Sequence, residues 1–343
     1  MIPALVSMSP ASRNKKPQLN DQPWQPTASL ATLRQRAVLL AAIRKFFAER
    51  DVLEVETPVL IGATSADPNL YSLSLPYSGP GAPADGRLWL QTSPEFTMKR
   101  LLAAGAGSIY QICHVFRADE RGRWHNPEFT MLEWYRTDFD HHHLMAEVTA
   151  LVSSVLGPRP VEVLSYRDAF LRYADVDPFV STVAELKHRA EQHDSSLPDL
   201  PLTDRDGWLD WLLSTLITPK LGRDVFTYLC DFPASQAALA RLRREDQFEV
   251  AERFELFIDG LEIANGYHEL TDPVEQGLRF EQEREHRQLS GQPESSVDDR
   301  LLAALAAGLP DCAGVALGFD RLVMLALGAE HIDQVLSFPI ERC

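Results

Sequence analysis

The sequence predicts an α+β protein, and three observations lead to that fold class. Between Ser108 and Arg136, two apolar runs flank a polar, charged segment, which is the pattern of two strands joined by a loop. From Leu30 to Glu49 the pattern is helical, with one apolar stripe opposite basic residues. A chain of 343 residues can also bury a large core, so one large domain is a reasonable expectation.

Composition and charge limit the classes of function. Hydrophobic residues make up 45% of the chain and charged residues 24%, which is ordinary for a globular protein. The 33 basic and 49 acidic side chains give a net charge of −16, which disfavours a broad nucleic-acid-binding surface. The four cysteines are far apart, and no apolar run reaches the roughly 20 residues of a membrane span. We therefore expect a cytoplasmic protein with no disulfide framework, no cysteine zinc site and no membrane partner.

The second strand of the predicted hairpin contains candidate site residues. A period of two places Phe129, Met131, Glu133 and Tyr135 on one face, close to Arg117 at the end of the first strand. A purely structural hairpin has little use for carboxylate, phenol, aromatic and guanidinium groups on one surface. This set suits a ligand with phosphates, a flat ring and an ammonium group.

A helix is predicted to begin at Ser93-Pro94-Glu95, because the serine hydroxyl can cap it and proline suits the first turn. On its own, Glu95 is explained as an acid favoured near a helix N-terminus. Arg321 lies in the first turn of another predicted helix, where backbone N–H groups already favour anions.

Two glutamates, Glu262 and Glu269, follow a predicted strand and turn. Their spacing of seven places them on opposite faces of an unbroken strand, so convergence on one site requires a bend, for which Asn265-Gly266 is a candidate. The consecutive histidines 141–143 cannot all converge on one metal ion, and we predict a solvated helix start there.

Together these stretches resemble the class II aminoacyl-tRNA synthetases, in the form carried by lysyl-tRNA synthetases. FRADE followed by HNPEFTMLE is similar to motif 2, the helix, strand and proline from Leu30 to Pro58 are similar to motif 1, and GVALGFDRLVML is similar to motif 3. The resemblance implies a mainly antiparallel sheet flanked by helices, a homodimer formed through motif 1, and use of ATP and Mg²⁺. It covers about Trp24 to Cys343.

The implied domain organisation is a mobile tail, residues 1–26, followed by a class II synthetase-like catalytic domain, residues 27–343. Within that domain, about 140–224 is predicted to be helical and poor in motifs.

The resemblance also implies roles for individual residues. The implied ATP-binding residues are Arg117, Asp119, His125, Asn126, Phe129, Glu262, Ile263, Gly318 and Arg321, with Arg117 and Arg321 as the catalytic pair. The implied pocket for a lysine-like diamine is formed by Ser93, Pro94, Glu95, Glu133, Tyr135, Asn265, Glu269 and Ala316. Glu262 and Glu269 would hold Mg²⁺ against the ATP phosphates.

The sequence departs from the family pattern at several positions. Motif 2 has Asp119 followed by Glu120 where the family has glutamate, so either residue is a candidate for the acidic role. Ala316 replaces a glycine, and its methyl group would disfavour α-lysine. Ser235 and Ala238 stand where the family usually has glutamate and proline, so the substrate pocket is expected to differ.

Only about thirty residues precede the motif 1 helix, whereas bacterial lysyl-tRNA synthetases carry an OB-fold anticodon reader there. The resemblance is therefore to a protein-modifying paralogue family of these synthetases. It implies activation of (R)-β-lysine and its transfer to a lysine of elongation factor P, without tRNA. Two alternatives remain open: a truncated synthetase that charges tRNA or a small acceptor with lysine, and an inactive nucleotide-sensing paralogue. The presence of the whole ATP-binding set argues against the second, because an inactive copy is free to lose those residues.

Overall fold

The computed structural model describes residues 22, 24–63, 70–194, 197, 204–289 and 298–343. Most of the predicted mobile tail, residues 1–26, lies outside the described residues. Within these ranges, no helix combines the length and apolar character needed to cross a membrane.

The described part of the chain contains nine α-helices and twelve β-strands. The helices are α1 (Leu30–Ala48), α2 (Glu95–Ala103), α3 (His141–Leu156), α4 (Tyr166–Tyr173), α5 (Val183–His193), α6 (Arg205–Leu212), α7 (Pro273–Leu289), α8 (Asp299–Gly308) and α9 (Phe319–Leu327). The strands are β1 (Leu53–Glu54), β2 (Leu60–Ile61), β3 (Ser74–Pro76), β4 (Arg87–Leu90), β5 (Ile109–Phe116), β6 (Glu128–Thr137), β7 (Val161–Ser165), β8 (Phe226–Pro233), β9 (Leu242–Glu245), β10 (Phe248–Ile258), β11 (Leu261–His268) and β12 (Cys312–Gly318).

Nine of the described strands form one large sheet, in the order β1-β5-β6-β12-β11-β10-β8-β7, with β9 paired to β10. The pairs β1–β5 and β7–β8 are parallel, and the other pairs of this sheet are antiparallel. A smaller antiparallel sheet has the order β2-β4-β3. The predicted α+β class with a mainly antiparallel sheet is confirmed.

The predicted hairpin is formed by β5 and β6, which pair from Ile109 with Tyr135 to Phe116 with Glu128. On its other side β6 pairs with β12, so the hairpin lies inside the sheet and not at its edge. The predicted strand from Val52 to Pro58 is shorter in the structure, because only Leu53–Glu54 pairs with β5.

One face of the large sheet is covered by α1, α3 and α9. The apolar stripe of α1 buries Ile43, Phe46 and Phe47, and the ring of Phe47 stacks on Tyr110 with 4.4 Å between centroids. Trp134 packs edge-on against the same phenylalanine. Burial of each such side chain stabilises the fold by about 1.5–3 kcal/mol. This packing leaves the opposite face of the sheet available for a cavity.

The start of α3 differs from the prediction in one respect. The helix begins at His141, with the side chain of Asp140 accepting a hydrogen bond from the backbone of His143, and it ends at Leu156, with Gly157 as its C-cap. His142 and His143 are exposed. His141 is only 3% exposed, because its ring lies over His268 of β11 instead of pointing to solvent. The prediction of a solvated helix start is therefore wrong for His141.

Candidate active site

A large cavity of about 1170 Å³ lies on the face of the large sheet that α1 and α3 leave uncovered. Most of the predicted site residues line it: Ser93, Glu95, Arg117, His125, Asn126, Phe129, Glu133, Tyr135, Glu262, Ile263, Asn265, Glu269, Ala316, Gly318 and Arg321. Pro94 and Asp119 are not among its lining residues. The fold thus brings residues from four separate segments of the chain to one cavity.

The two candidates for the acidic position of motif 2 are placed differently. Glu120 lines the cavity, and its carboxylate lies 3.5 Å from the guanidinium of Arg117. Asp119 has a left-handed backbone with φ of 64° and does not line the cavity. Of the two, Glu120 is the residue whose position fits contact with a ligand.

Arg321 lies at one end of the cavity, in the first turn of α9 after the N-cap Gly318. Its Nη2 donates to Nε2 of His125 at 2.5 Å, and its Nη1 donates to the carbonyl of Glu262 at 2.8 Å. Burial and the charge of Arg321 lower the pKa of His125, so this histidine is a neutral acceptor. The helix N-terminus and the fixed guanidinium make this end suitable for an anionic group.

Arg117 and Phe129 form a second surface at this end. The guanidinium carbon of Arg117 lies 5.2 Å from the centroid of the Phe129 ring. The buried Nε of Arg117 has no hydrogen-bond partner within the described ranges, which leaves a donor for a ligand.

Asn126, which the resemblance assigns to ATP, makes hydrogen bonds through both the nitrogen and the oxygen of its side-chain amide. Its Nδ2 donates to the carbonyl of Glu128 at 2.7 Å, and its Oδ1 accepts from the backbone N–H of Ile340 at 3.1 Å. Asn126 is 3% exposed and fastens the hairpin loop to the C-terminal segment. Contact with a nucleotide would require it to give up one of these bonds.

A cluster of buried carboxylates forms the other end of the cavity. Glu133 is 2% exposed and accepts hydrogen bonds of 2.7 Å from the hydroxyls of Ser93 and Tyr135. Burial, followed by the charge of Glu95, raises the pKa of Glu133 to about 8. Ser93 also accepts the N–H of Glu95 at 3.0 Å, but the N-cap position of α2 is Pro94, so the predicted serine cap and the placement of proline in the first turn are each wrong by one residue.

Lys99 of α2 is the cation of this cluster, and the sequence analysis gave it no role. Its ammonium lies 2.7 Å from Glu95 and 2.6 Å from Glu269. Burial lowers the pKa of Lys99, but the two carboxylates outweigh it and hold that pKa above its usual value. Burial raises the pKa of Glu269 to about 7, although Lys99 opposes the shift. The spacing of four residues between Glu95 and Lys99 was the available signal, because it places both on one helix face.

The cluster has an unbalanced charge. When ionised, Glu95, Glu133 and Glu269 bring three negative charges, and Lys99 brings one positive charge. Buried unpaired carboxylates are unfavourable, which is why two of these pKa values are raised. A ligand with two ammonium groups would supply the missing charge.

A β-bulge explains how Glu262 and Glu269 both reach the cavity. In the pairing with β10, Leu256 faces Ala264 and Phe257 faces Glu262, so Ile263 is an extra residue in β11. One extra residue shifts the alternation of side chains, which puts residues seven apart on the same face. The shared face of Glu262 and Glu269 thus comes from this bulge and not from a bend at the predicted Asn-Gly pair.

The two glutamates nevertheless lie at different ends of the cavity. The carboxylate of Glu262 is 3.6 Å from Arg321, whereas that of Glu269 contacts Lys99. Seven residues of extended strand separate them by roughly 20 Å. Since Mg²⁺ binds oxygen at about 2.0–2.1 Å, one ion cannot contact both side chains. The expectation that they share an ion is corrected by this geometry.

Two glycines are required by close packing beside the carboxylates. A Cβ at Gly314 would collide with the ring of Tyr135 and with Oε1 of Glu269. A Cβ at Gly266 would collide with the ring of Phe254 and would come 2.9 Å from the carbonyl of Gly314. Gly314 lines the cavity and was missed by the sequence analysis, because the need for glycine arises only from cross-strand contact.

Ala316 is one of the residues that line the cavity. It is the cross-strand partner of Asn265 on β11 and of Glu133 on β6. Its methyl group therefore lies beside the buried carboxylates, where the sequence analysis expected it. Ser235 is also a lining residue, and its hydroxyl donates to Asp206 of α6 at 2.9 Å.

Comparison with known proteins gives the class of this chain. The family model described as tRNA synthetases class II (D, K and N) matches residues 24–342. The chain therefore belongs to the class II tRNA synthetase family.

Among curated proteins, the chain is similar to the elongation factor P–(R)-β-lysine ligase of Vibrio parahaemolyticus serotype O3:K6. The two are 52% identical over 316 residues, which cover 92% of this chain and 98% of that relative. Proteins of the same name from Salmonella typhi and Salmonella paratyphi B are each 50% identical over 320 residues, or 93% of this chain and 98% of theirs.

Proposed function

We propose that this chain is an ATP-dependent ligase that activates (R)-β-lysine as an adenylate and transfers it to the ε-amine of a lysine on elongation factor P. The substrate and the acceptor are those named for relatives that are 50% and 52% identical to it. The proposal rests on one observation: a single cavity has a buried carboxylate cluster at one end and arginine residues at the other.

The arginine-lined end fits the phosphates of ATP. Arg321 would hold the terminal phosphate, Arg117 the α-phosphate and the substrate carboxylate, and Phe129 the adenine ring. Such a reaction depends on positioning and on neutralising developing charge, with no protein nucleophile. Glu262, whose side chain is 41% exposed and lies beside Arg321, offers the hard oxygen ligand that hydrated Mg²⁺ accepts. When bound there, Mg²⁺ would neutralise phosphate charge.

The carboxylate cluster fits a diamine. (R)-β-Lysine has two ammonium groups and one carboxylate, and the ionised cluster with Lys99 has a net charge of −2. Glu95, Glu133 and Glu269 would bind the ammonium groups and leave the substrate carboxylate directed toward Arg117. Each ammonium would also lower the pKa of the carboxylate that it contacts.

Transfer completes the reaction. The neutral ε-amine of the acceptor lysine attacks the carbonyl carbon of the adenylate, an amide bond forms, AMP leaves with the bonding electron pair, and the amine loses a proton. The acceptor side chain needs an opening of the cavity, and we propose that it enters beside Arg117 and Glu120, whose side chains are 25% and 28% exposed.

Pyrophosphate exchange with α-lysine and with (R)-β-lysine, followed by intact-mass measurement of elongation factor P, tests this function. We expect strong preference for (R)-β-lysine and one adduct on elongation factor P. Absence of exchange with either isomer would favour the nucleotide-sensing alternative. Equal or better use of α-lysine with charging of tRNA, and no adduct, would favour the truncated synthetase, which the names of the relatives do not support.

The homodimer implied by motif 1 is a further part of the proposal. Leu30 and Val38 of α1 and Leu53 of β1 are 66%, 60% and 56% exposed, which supports a partner on this side of the molecule. Light scattering of the purified chain measures its mass directly. We also propose a cytoplasmic location, because translation takes place there.

A further inference from the structure

Three side chains that bind metal ions elsewhere in proteins come together outside the active-site cavity. They are His141 at the start of α3, Glu252 of β10 and His268 of β11. One ligand atom from each lies within 4.8 Å of the other two. None of the three lines the cavity, because they lie on the face of the sheet that α3 covers.

His141 is the member that a purely structural explanation leaves unaccounted for. It is 3% exposed, and within the described ranges neither ring nitrogen has a hydrogen-bond partner. Buried imidazoles are normally hydrogen-bonded, so an orphaned one indicates a missing ligand. One of its two ring nitrogens has a lone pair that no described group uses, so it is free for an ion.

His268 is already held in the orientation of a metal ligand. Its Nδ1 lies 2.5 Å from Glu252, and its Nε2 lies 3.0 Å from Asp311. A carboxylate on the far nitrogen fixes the tautomer and the ring orientation of a ligating histidine. With Nε2–H donated to Asp311, Nδ1 faces Glu252 and the space beside His141. Asp311 is also paired with Arg241, which suits an orienting role better than ligation.

We propose that His141, Nδ1 of His268 and the carboxylate of Glu252 bind one zinc-like divalent ion, with Asp311 as the residue that positions His268. Two imidazoles and a carboxylate are a common ligand set for Zn²⁺, and a water completes four ligands. Around a tetrahedral zinc, at about 2.0–2.2 Å, neighbouring ligand atoms are roughly 3.4 Å apart. Side-chain rotations would have to bring His141 closer, from within 4.8 Å, and to separate Nδ1 of His268 from Glu252, which are now 2.5 Å apart. The proton shared by His268 and Glu252 is released to solvent when the ion binds.

A hydrogen-bonded cluster without metal is the competing explanation. It accounts for His268, which has both nitrogens satisfied by Glu252 and Asp311. It leaves His141 buried next to a carboxylate, with no hydrogen-bond partner among the described residues. A bound ion explains why all three side chains lie together, and it would link the first residue of α3 to β10 and β11.

The test uses the full chain without a histidine tag, treated with EDTA and dialysed. Zinc sulfate is titrated by calorimetry in excess MgCl₂, which occupies the oxygen ligands of the active site but competes poorly for imidazole. We expect one zinc per chain. His141→Asn and Glu252→Gln should each weaken binding at least tenfold. The matched controls His142→Asn and His143→Asn change exposed neighbours on the same helix and should retain the binding of the original chain.

Circular dichroism melting adds a readout that does not depend on calorimetry. Zinc should raise the Tm of the original chain and of both control variants, and should leave the Tm of His141→Asn and Glu252→Gln unchanged. Equal loss of binding in His142→Asn and His141→Asn would overturn the proposal, as would the absence of stoichiometric zinc. If His141→Asn does not fold, the result for Glu252→Gln, compared with the controls, decides.

Discussion

The ammonium of Lys99 lies 2.6 Å from Oε2 of Glu269, and each side chain is only 1% exposed. The same ammonium lies 2.7 Å from Glu95, so one buried cation holds two carboxylates in place. Glu133 is held separately by two hydroxyl groups. The acidic end of the cavity is therefore arranged before any ligand binds, which reduces the cost of ordering it on binding.

Removal of the buried cation should destabilise the protein. Lys99→Met leaves Glu269 and Glu95 without a partner, and breaking a buried ion pair costs about 3–5 kcal/mol. We expect a loss of that size in the free energy of unfolding, measured by urea denaturation. The double variant Lys99→Met, Glu269→Gln should recover part of it, because the uncompensated charge is gone.

The matched control for this change is Lys45→Met. Lys45 and Glu49 have the same spacing of four residues on α1, but their side chains are 59% and 60% exposed. Exposed pairs contribute about 0–1 kcal/mol. A loss as small for Lys99→Met as for Lys45→Met would contradict a structural role for the buried cation.

The amine substrate should bind better as the pH rises through the raised pKa values of the cluster. Burial raises the pKa of Glu269 to about 7 and that of Glu133 to about 8, so both are protonated at lower pH. An ammonium group binds the ionised form. In pyrophosphate exchange, kcat/KM for the diamine should therefore rise with pH and level off near 8.

The same shifts set the sign of the effect on stability. Because the pKa of Glu133 is higher in the folded chain than in the unfolded chain, the folded state binds more protons between the two values. Its contribution to stability is thus lost as the pH rises through that window.

Glu133→Gln should remove the contribution of Glu133 to the pH dependence of kcat/KM and to the pH dependence of stability. Glu128→Gln, an exposed position on the same strand, should leave the profile unchanged, and a flattened profile there would contradict the assignment.

The sequence was sufficient for the features that depend on local pattern. The alternation of apolar residues gave the β5–β6 hairpin, and the face that it predicted for Phe129, Glu133 and Tyr135 is the one that lines the cavity. The helix start before Arg321 likewise follows from local pattern, since α9 begins at Phe319 and Arg321 lies in its first turn, as predicted. Periodicity and capping act over a few residues, so they can be read before the fold is known.

Features that depend on distant contacts could not be predicted. The bulge at Ile263 is visible only in the pairing of β11 with β10, and the need for glycine at Gly314 arises from Tyr135 on the neighbouring strand. Burial of His141 depends on β11, more than a hundred residues further along the chain. Lys99 has a readable spacing to Glu95, but its partner Glu269 comes from another element.

Removal of the Ala316 methyl group should change the choice between lysine isomers. This group lies between the cross-strand partners Glu133 and Asn265. One methylene in a pocket changes discrimination by about 1–3 kcal/mol, or about 10–200-fold. We expect Ala316→Gly to raise the ratio of kcat/KM for α-lysine over (R)-β-lysine by about tenfold or more.

The control for this substitution is Ala313→Gly, which removes a methyl group from the opposite face of the same strand. It should lower stability through lost packing but keep the isomer ratio. If both variants change the ratio equally, the effect belongs to the flexibility of β12 and not to the methyl group in the cavity.

The separation of Glu262 and Glu269 predicts that their substitutions affect different ligands. Glu262 lies beside Arg321, so Glu262→Gln should raise the Mg²⁺ concentration for half-maximal pyrophosphate exchange by about tenfold, the loss of one charged contact. Glu269 lies beside Lys99, so Glu269→Gln should raise KM for the diamine and leave the Mg²⁺ requirement as it was. Both substitutions keep the size of the side chain. An equal rise in the Mg²⁺ requirement for the two variants would mean that the glutamates share an ion, which the roughly 20 Å of extended strand between them should prevent.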